Sequence, residues 1–445
     1  MKAQHLITLL GLLMCSVLFV QAQSTSTVLT LEEAVRLGLA QSNQLKISQA
    51  KHEVMQAKVS QYWNAAVIPN VSLNSGYSRL SNNITPYTVS FPNGNGGYTE
   101  QALNPQILNQ YTNRLSVQQI LYAGGRGINF FRSAELLEKA SAMDVEKDRI
   151  EIKNTIIAAV LNLYKLQTAA RILEENRTVL QSRLRNVQNF VQNGTALEND
   201  QFKAELAINQ VESNLEELKN GIATAKFNLS LMLGLDKNAT IELDQKSLFA
   251  GKNLLSLDAY LQTVAKRPDL NAATYRQQAS EKSLAIAKGN YLPLISIGAN
   301  YYENRPNQRI FPQQDAFKGT WDAGLTLSFN LSNLYTNKFQ VQEAKVNLAQ
   351  SGAQKELLSD AAQMEIASSY YAQQSAMNKI ELAEKAIKQS LENQRITKNQ
   401  FDAQVTPLTQ LLEADFQVIQ SQLNLETAKI EAELAYWKLQ KAIGQ

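Results

Sequence analysis

The chain has a single cysteine, Cys15, and two histidines, His5 and His52, in 445 residues. One cysteine excludes a disulfide framework and a cysteine-bound zinc cluster. Two histidines leave little room for a histidine metal site or a catalytic triad. An excess of either charge is also missing: 43 Lys+Arg stand against 40 Asp+Glu, a balance of +3. That gives no basic field for nucleic acid and no acidic tail. Beyond the N-terminus no run reaches the ~18 apolar residues of a membrane helix. The glycine clusters at Gly94-Asn95-Gly96-Gly97 and Gly124-Gly125-Arg126-Gly127 lack the P-loop lysine and the Rossmann spacing. The usual enzyme signals are thin, and no catalytic activity, cofactor or metal is expected.

Met1 to Ala22 is a different object. Lys2 precedes an apolar run from Leu6 to Val20, and Val20-Gln21-Ala22 offers small residues where a signal peptidase reads. A secretory signal peptide over 1–22 is expected. Leu12-Leu13-Met14-Cys15 approaches a lipobox, but Met14 stands where a small residue is needed, which argues against lipidation.

Helix breakers are scarce. From Ile128 to Asn193, 66 residues, there is neither Gly nor Pro, and from Ala353 to Ile443 the sole breaker is Pro407. Helices of about 65 residues, roughly 100 Å long, are expected there. Heptad rows agree: Ile152, Ala159, Leu166, Leu173, Leu180 and Val187, then Ile208, Leu215, Ile222 and Leu229. The last helix carries two apolar rows, Leu411/Val418/Leu425/Ala432/Leu439 and Phe416/Leu423/Ile430/Trp437, beside a polar row from Gln410 to Lys438. Two seams suit a helix in a palisade; a thick face on an ordinary bundle helix is the alternative.

The chain also repeats itself. A shift of 210 places Val117, Gln119 and Leu121 on Leu327, Phe329 and Leu331, and Gly234 on Gly444. Upstream the shift drifts to 224, where Pro69-Asn70-Val71 meets Pro293-Leu294-Ile295. A first unit over 23–234, a connector over 235–256 and a second unit over 257–445 follow. Each reads helix, strand pair (about 70–122 and 294–331), long helix (about 127–192 and 336–402) and a further helix (about 197–233 and 407–443). The strand segments alternate with period two, as in Trp321, Ala323, Leu325 and Leu327, and carry aromatics near their ends. The segments Ser81–Gln110 and Asn304–Gly319 read as wet loops. Such strands suit an outer-membrane barrel, or a half-buried soluble hairpin. Four strands close no membrane barrel, so several chains would share one: two give eight strands, three give twelve.

With these segments in order, the chain resembles the TolC family of outer-membrane efflux proteins. The resemblance rests on Leu115–Gly127, on the opening Leu29–Leu45 with its echo at Leu257–Leu270, and on the tip turns in Phe190–Glu205 and Phe401–Asp415. It spans essentially the whole mature chain. It implies a mainly α fold with a small membrane β part: a homotrimer with a 12-stranded β-barrel in outer-membrane lipid and an α-helical barrel across the periplasm. It implies a passive duct of a tripartite efflux or type I secretion system. Its tip turns would dock a periplasmic adaptor (membrane fusion) protein. An inner-membrane transporter of resistance-nodulation-division or ATP-binding-cassette type would supply energy.

The resemblance also nominates residues. Asp200 and Glu413 fall where the family narrows its pore with acids, and Gln410 stands where some members carry another acid. Asp200 equally suits the dipole of a helix N-terminus, and Glu413 a solvated surface. The docking turns are Asn193-Gly194-Thr195 and Gln404-Val405-Thr406-Pro407, and Pro407 is expected to start the last helix. Gln404 stands where the first turn has Gly194. Gly124 and Gly125 mark the corner between barrel strand and long helix. The competing reading is a periplasmic structural coiled coil or adaptor without a pore.

Overall fold

A computed structural model describes residues 27–82, 87–102, 106–236, 241–244 and 254–445. The expected signal peptide, with Cys15 and His5, lies outside the described residues. The chain divides into two compact units, one of Met1–Ile47, Glu146–Arg267 and Ala361–Gln445, the other of Ser48–Val145 and Pro268–Asp360.

In chain order the elements are β1 (Thr27–Leu29), α1 (Leu31–Gln41), α2 (Asn43–Val67), β2 (Asn70–Arg79), β3 (Thr88–Pro92), β4 (Tyr98–Ala102) and β5 (Asn109–Ala123). Then come the 67-residue α3 (Arg126–Gln192), α4 (Glu198–Leu233), β6 (Ile241–Leu243), α5 (Leu257–Leu261) and α6 (Pro268–Gly289). The chain ends with β7 (Leu294–Asn304), β8 (Lys318–Ser328), α7 (Asn333–Thr336), the 65-residue α8 (Lys338–Asp402) and α9 (Leu408–Ala442).

The first unit is helical and holds two apolar clusters. One gathers Ile156, Val160, Leu161 and Leu163 of α3 with Leu229 and Leu233 of α4, Ile430 of α9 and Leu31. The other joins Leu173, Leu180 and Val187 of α3 to Ile208, Val211 and Leu215 of α4 and Leu408, Leu412 and Ile419 of α9. These are the heptad positions, so seven-residue spacing translates directly into buried seams. On α9, Leu411, Val418, Ala432 and Leu439 are buried, and the polar row Gln410, Gln417, Asn424, Glu431 and Lys438 is exposed. Its second apolar row is split: Ile430 is buried, whereas Phe416 is exposed.

The second unit is built on an antiparallel sheet in the order β2-β5-β7-β8. Its register stacks like with like. Val71, Val117, Ala299 and Ala323 form one cross-strand row, and Leu73, Leu115, Tyr301 and Trp321 the next. On the opposite face run Ser72, Ser116, Asn300 and Asp322, then Asn74, Arg114, Tyr302 and Thr320. Period-two alternation makes one face apolar and the other polar. A bulge between Ile120 and Tyr122 shifts the register of β5 near its end.

Two segments differ from the sequence expectation. The stretch read as an irregular loop before β5 contains the hairpin β3–β4, because Thr88–Pro92 and Tyr98–Ala102 are short extended segments around an Asn- and Gly-rich turn. The stretch read as an irregular connector contains β6, which pairs in parallel with β1 and carries Leu243 to the first apolar cluster.

Candidate functional site

The tips of the two helix pairs are the same turn built twice. After α3, Gly194 takes φ +71°, its N–H donates to Val191 O at 3.0 Å, and Thr195 N donates to Phe190 O at 2.8 Å. After α8, Gln404 takes φ +59°, its N–H donates to Phe401 O at 2.9 Å, and Val405 N donates to Gln400 O at 2.9 Å. These are left-handed helix caps that return two orphan carbonyls to hydrogen bonding. Glycine adopts that backbone freely; glutamine does so at a cost of about 1 kcal/mol. The glutamine at this position therefore changes the residue and not the turn. Leu197 and Pro407 are the N-cap residues of α4 and α9, so Pro407 precedes the first helical residue, Leu408.

The two turns meet. The Phe190 and Phe401 rings lie edge to face, centroids 5.9 Å apart. Between the turns is a recess of about 130 Å³ lined by Phe190, Asp200, Phe401 and Thr406 among others. Asp200 is the third residue of α4, where its backbone N–H donates to Leu197 O and its carboxylate sits 3.2 Å from Lys203 Nζ. Gln410 accepts from Thr406 Oγ1 within the first turn of α9. Glu413 is exposed. Thr195, Gln404, Thr406 and Pro407 thus line one recess with Asp200, whereas Asn193, Gly194 and Val405 are outside its lining and Glu413 is exposed on α9.

A residue that the sequence reading passed over sits two positions beyond Glu413. Asp415 is 2% exposed and accepts from Gln394 Nε2 of α8 at 2.6 Å and from Arg183 Nε of α3 at 3.3 Å. One buried carboxylate joins three helices close to the tips. The signal was present: Leu408, Leu412, Asp415 and Ile419 share core spacing, and an acid at a core position needs a partner.

At the other candidate position, Gly124 and Gly125 both have positive φ, +64° and +74°. A Cβ on Gly124 would stand 2.4 Å from Gly289 O, so β5 turns into α3 in backbone contact with the end of α6. Arg126 Nη1 donates to Asn290 Oδ1 at 2.9 Å and holds the same corner. His52 is partly buried, 3.4 Å from Glu138. Among the described residues no group of His, Cys, Asp and Glu could hold a metal ion.

The chain combines an antiparallel sheet that has a polar and an apolar face with helices of 67 and 65 residues. Solved structures agree. CusC, described with transmembrane channel formation, superposes with a TM-score of 0.78 at 16% identity, covering 96% of this chain and 95% of its own. The outer membrane protein VceC of Vibrio cholerae superposes at 0.74, with 17% identity and coverages of 93% and 96%. A curated relative, Toxin and drug export protein A of Aggregatibacter actinomycetemcomitans, is 22% identical over 334 residues, 74% of this chain and 72% of that protein. Residues 259–445 match the model of the family described as outer membrane efflux protein. The chain thus shares the fold of these outer-membrane channels, mainly helical with a small β part.

Proposed function

We propose that three copies of this chain form the outer-membrane duct of a tripartite export assembly. The observation that carries this is the sheet. Among the described residues both edge strands, β2 and β8, lack an outer partner, and the apolar face carries highly exposed side chains: Leu73 72%, Trp321 75%, Leu325 68%. In lipid an unpaired edge is not tolerated, so the edges pair with those of further copies. Four strands from each of three chains make twelve. An 11-residue strand such as β7, tilted as in membrane barrels, rises about 25–30 Å, the height of the apolar band.

Aromatic residues flank both ends of the band. Tyr77, Tyr111 and Phe317 cluster at one end, with ring centroids 5.0 and 5.6 Å apart. Tyr62 stacks on Phe130, and Trp63 packs on Phe131, at the other. Such girdles mark membrane interfaces. The helical part supports the same assembly. On α8, Met364, Tyr371 and Leu382 fall within about 20° of one line and are each more than half exposed, an apolar seam awaiting a neighbouring helix.

In this reading the paired tips are the docking surface for a periplasmic adaptor. An inner-membrane transporter, of resistance-nodulation-division or ATP-binding-cassette type, drives the cargo. Asp200 and Glu413 form acidic rings at the tip end of the pore and favour cations there. The cargo is a toxic small molecule or secreted product, as the name of the curated relative suggests. The test is reconstitution in a planar bilayer. The wild type conducts with a cation preference, and Asp200→Asn with Glu413→Gln lowers that preference. A protein that inserts and conducts with the same selectivity after both substitutions would remove these acids from the gate.

A further inference from the structure

The polar face of the sheet is not uniform. In the strands β2, β5, β7 and β8 the even-numbered residues from Asn70 to Ser78, Gln110 to Gln118, Ser296 to Asn304 and Lys318 to Ser328 share that face. Its charged residues are Arg114, Lys318 and Asp322, all toward the end that carries the β7–β8 connection. That connection, residues 305–317, adds another cation. Asn307, 2% exposed, donates through Nδ2 to Lys318 O at 2.7 Å and to Thr320 Oγ1 at 3.1 Å. Asn307 Oδ1 accepts from Arg309 N at 3.0 Å. The Arg309 side chain thereby lies on the polar face, its guanidinium 4.3 Å from the Tyr302 ring centroid and 2.5 Å from Asp322 Oδ2. Arg114 approaches the same ring, 5.8 Å from its centroid, and donates twice to Asn300 Oδ1, at 3.1 and 3.0 Å.

Two guanidinium groups therefore surround one tyrosine, with one carboxylate between them and no carboxylate partner for Arg114 among the described residues. The same loop sends its other arginine to the opposite face. Arg305 lies over Tyr111 and Phe317 and pairs with Asp315 at 2.8 Å, in the aromatic girdle. Of the two loop arginines, only Arg309 is delivered to the interior side.

We infer that Arg114 and Arg309, gathered around Tyr302, form a cationic constriction at the outer end of the pore, opposite in sign to the acids at the tips. The inference rests on the shared-barrel reading, which turns the polar face inward. Repeated around the axis, the cluster brings six arginines against three Asp322 carboxylates. A ring of fixed charge in a narrow pore selects by sign, and the planar guanidinium fork adds affinity for phosphate- and carboxylate-bearing solutes. Anionic solutes dwell at this end, and Tyr302 gives aromatic ones a face on which to stack beside the arginines.

The test is block of single-channel current by inorganic tripolyphosphate, added to either side of a bilayer at low ionic strength, where screening is weak. The wild type is blocked from one side only. Arg114→Gln with Arg309→Gln raises the half-blocking concentration about tenfold or more, Arg309→Lys retains the block, and Asp322→Asn lowers that concentration about threefold. Equal block of wild type and the double glutamine variant at unchanged conductance overturns the inference, as does a wild type that conducts without being blocked. A wild type that never conducts overturns the shared-barrel reading and this inference with it.

Discussion

Removing the Asp415 carboxylate is the most informative perturbation of the helical part. Its two partners lie on different helices, Arg183 on α3 and Gln394 on α8, and the Arg183 side chain is only 11% exposed. The gross attraction across 3.3 Å at an effective dielectric of 20 is about 5 kcal/mol, largely offset by the desolvation of both ions. The intact pair therefore adds little net stability. Breaking it is different, because Asp415→Ala strands a buried guanidinium and costs about 3–5 kcal/mol. At 1.36 kcal/mol per decade this raises local opening of α8 and α9 near the tips by two to four decades. Hydrogen exchange of the reconstituted protein reads this directly as lost amide protection around Gln394 and Asp415. Replacing both ions, Arg183→Met with Asp415→Leu, should recover most of the protection. Unchanged exchange in Asp415→Ala, or a double variant as loose as the single one, would refute the buried lock.

Four other outcomes follow from the same structure. Gly124→Ala should cost about 2–4 kcal/mol through its positive φ and the approach to Gly289 O, whereas Gly125→Ala, with only Asn129 Nδ2 within reach of a Cβ at 3.7 Å, should cost about 1 kcal/mol; thermal melts of the two variants compare them. Gln404→Gly should stabilise the second tip turn by about 0.5–1 kcal/mol, seen as slower exchange of its amides, and Gly194→Ala should weaken the first by a similar amount. The hydrogen bond from Arg305 holds the Asp315 carboxyl below the usual carboxylate range, so the pair's support of its loop is complete above the unfolded pKa of about 3.9 and fades as pH falls through the lower folded value. A spin label at Gln313 should keep its mobility from pH 7 to pH 5 and gain mobility only in stronger acid. Asp200→Asn with Glu413→Gln should reduce cation preference while leaving the melting transition nearly unchanged, since Asp200 pairs with Lys203 at a partly exposed site and Glu413 is exposed.

The long helices and the barrel strands were legible because their signals are periodic. Leu173, Leu180 and Val187 are core residues by spacing alone, and the alternation from Trp321 to Leu327 assigns a face to every residue of β8. The 210-residue shift carries over to backbone detail, since Gly194 and Gln404, then Gly234 and Gly444, all adopt positive φ. What escaped notice lacks periodicity or depends on distant partners. The strand β6 has only three residues and is a strand because β1 pairs with it from over two hundred residues away. The hairpin β3–β4 looked like a loop because Asn and Gly dominate its turn and neighbourhood. The partners of Asp415 lie 21 and 232 positions off, and the placement of Arg309 on the polar face follows from Asn307, whose role no local pattern announces.

The central claim is that β2 and β8 are edges meant for other copies of the same chain. Its most direct test is the native mass of the particle extracted in mild detergent from the outer-membrane fraction. The expected result is a trimer that needs detergent to stay in solution. A monomer that is soluble without detergent would contradict the shared barrel, and the apolar face from Leu73 to Trp321 would then have to be covered within a single chain.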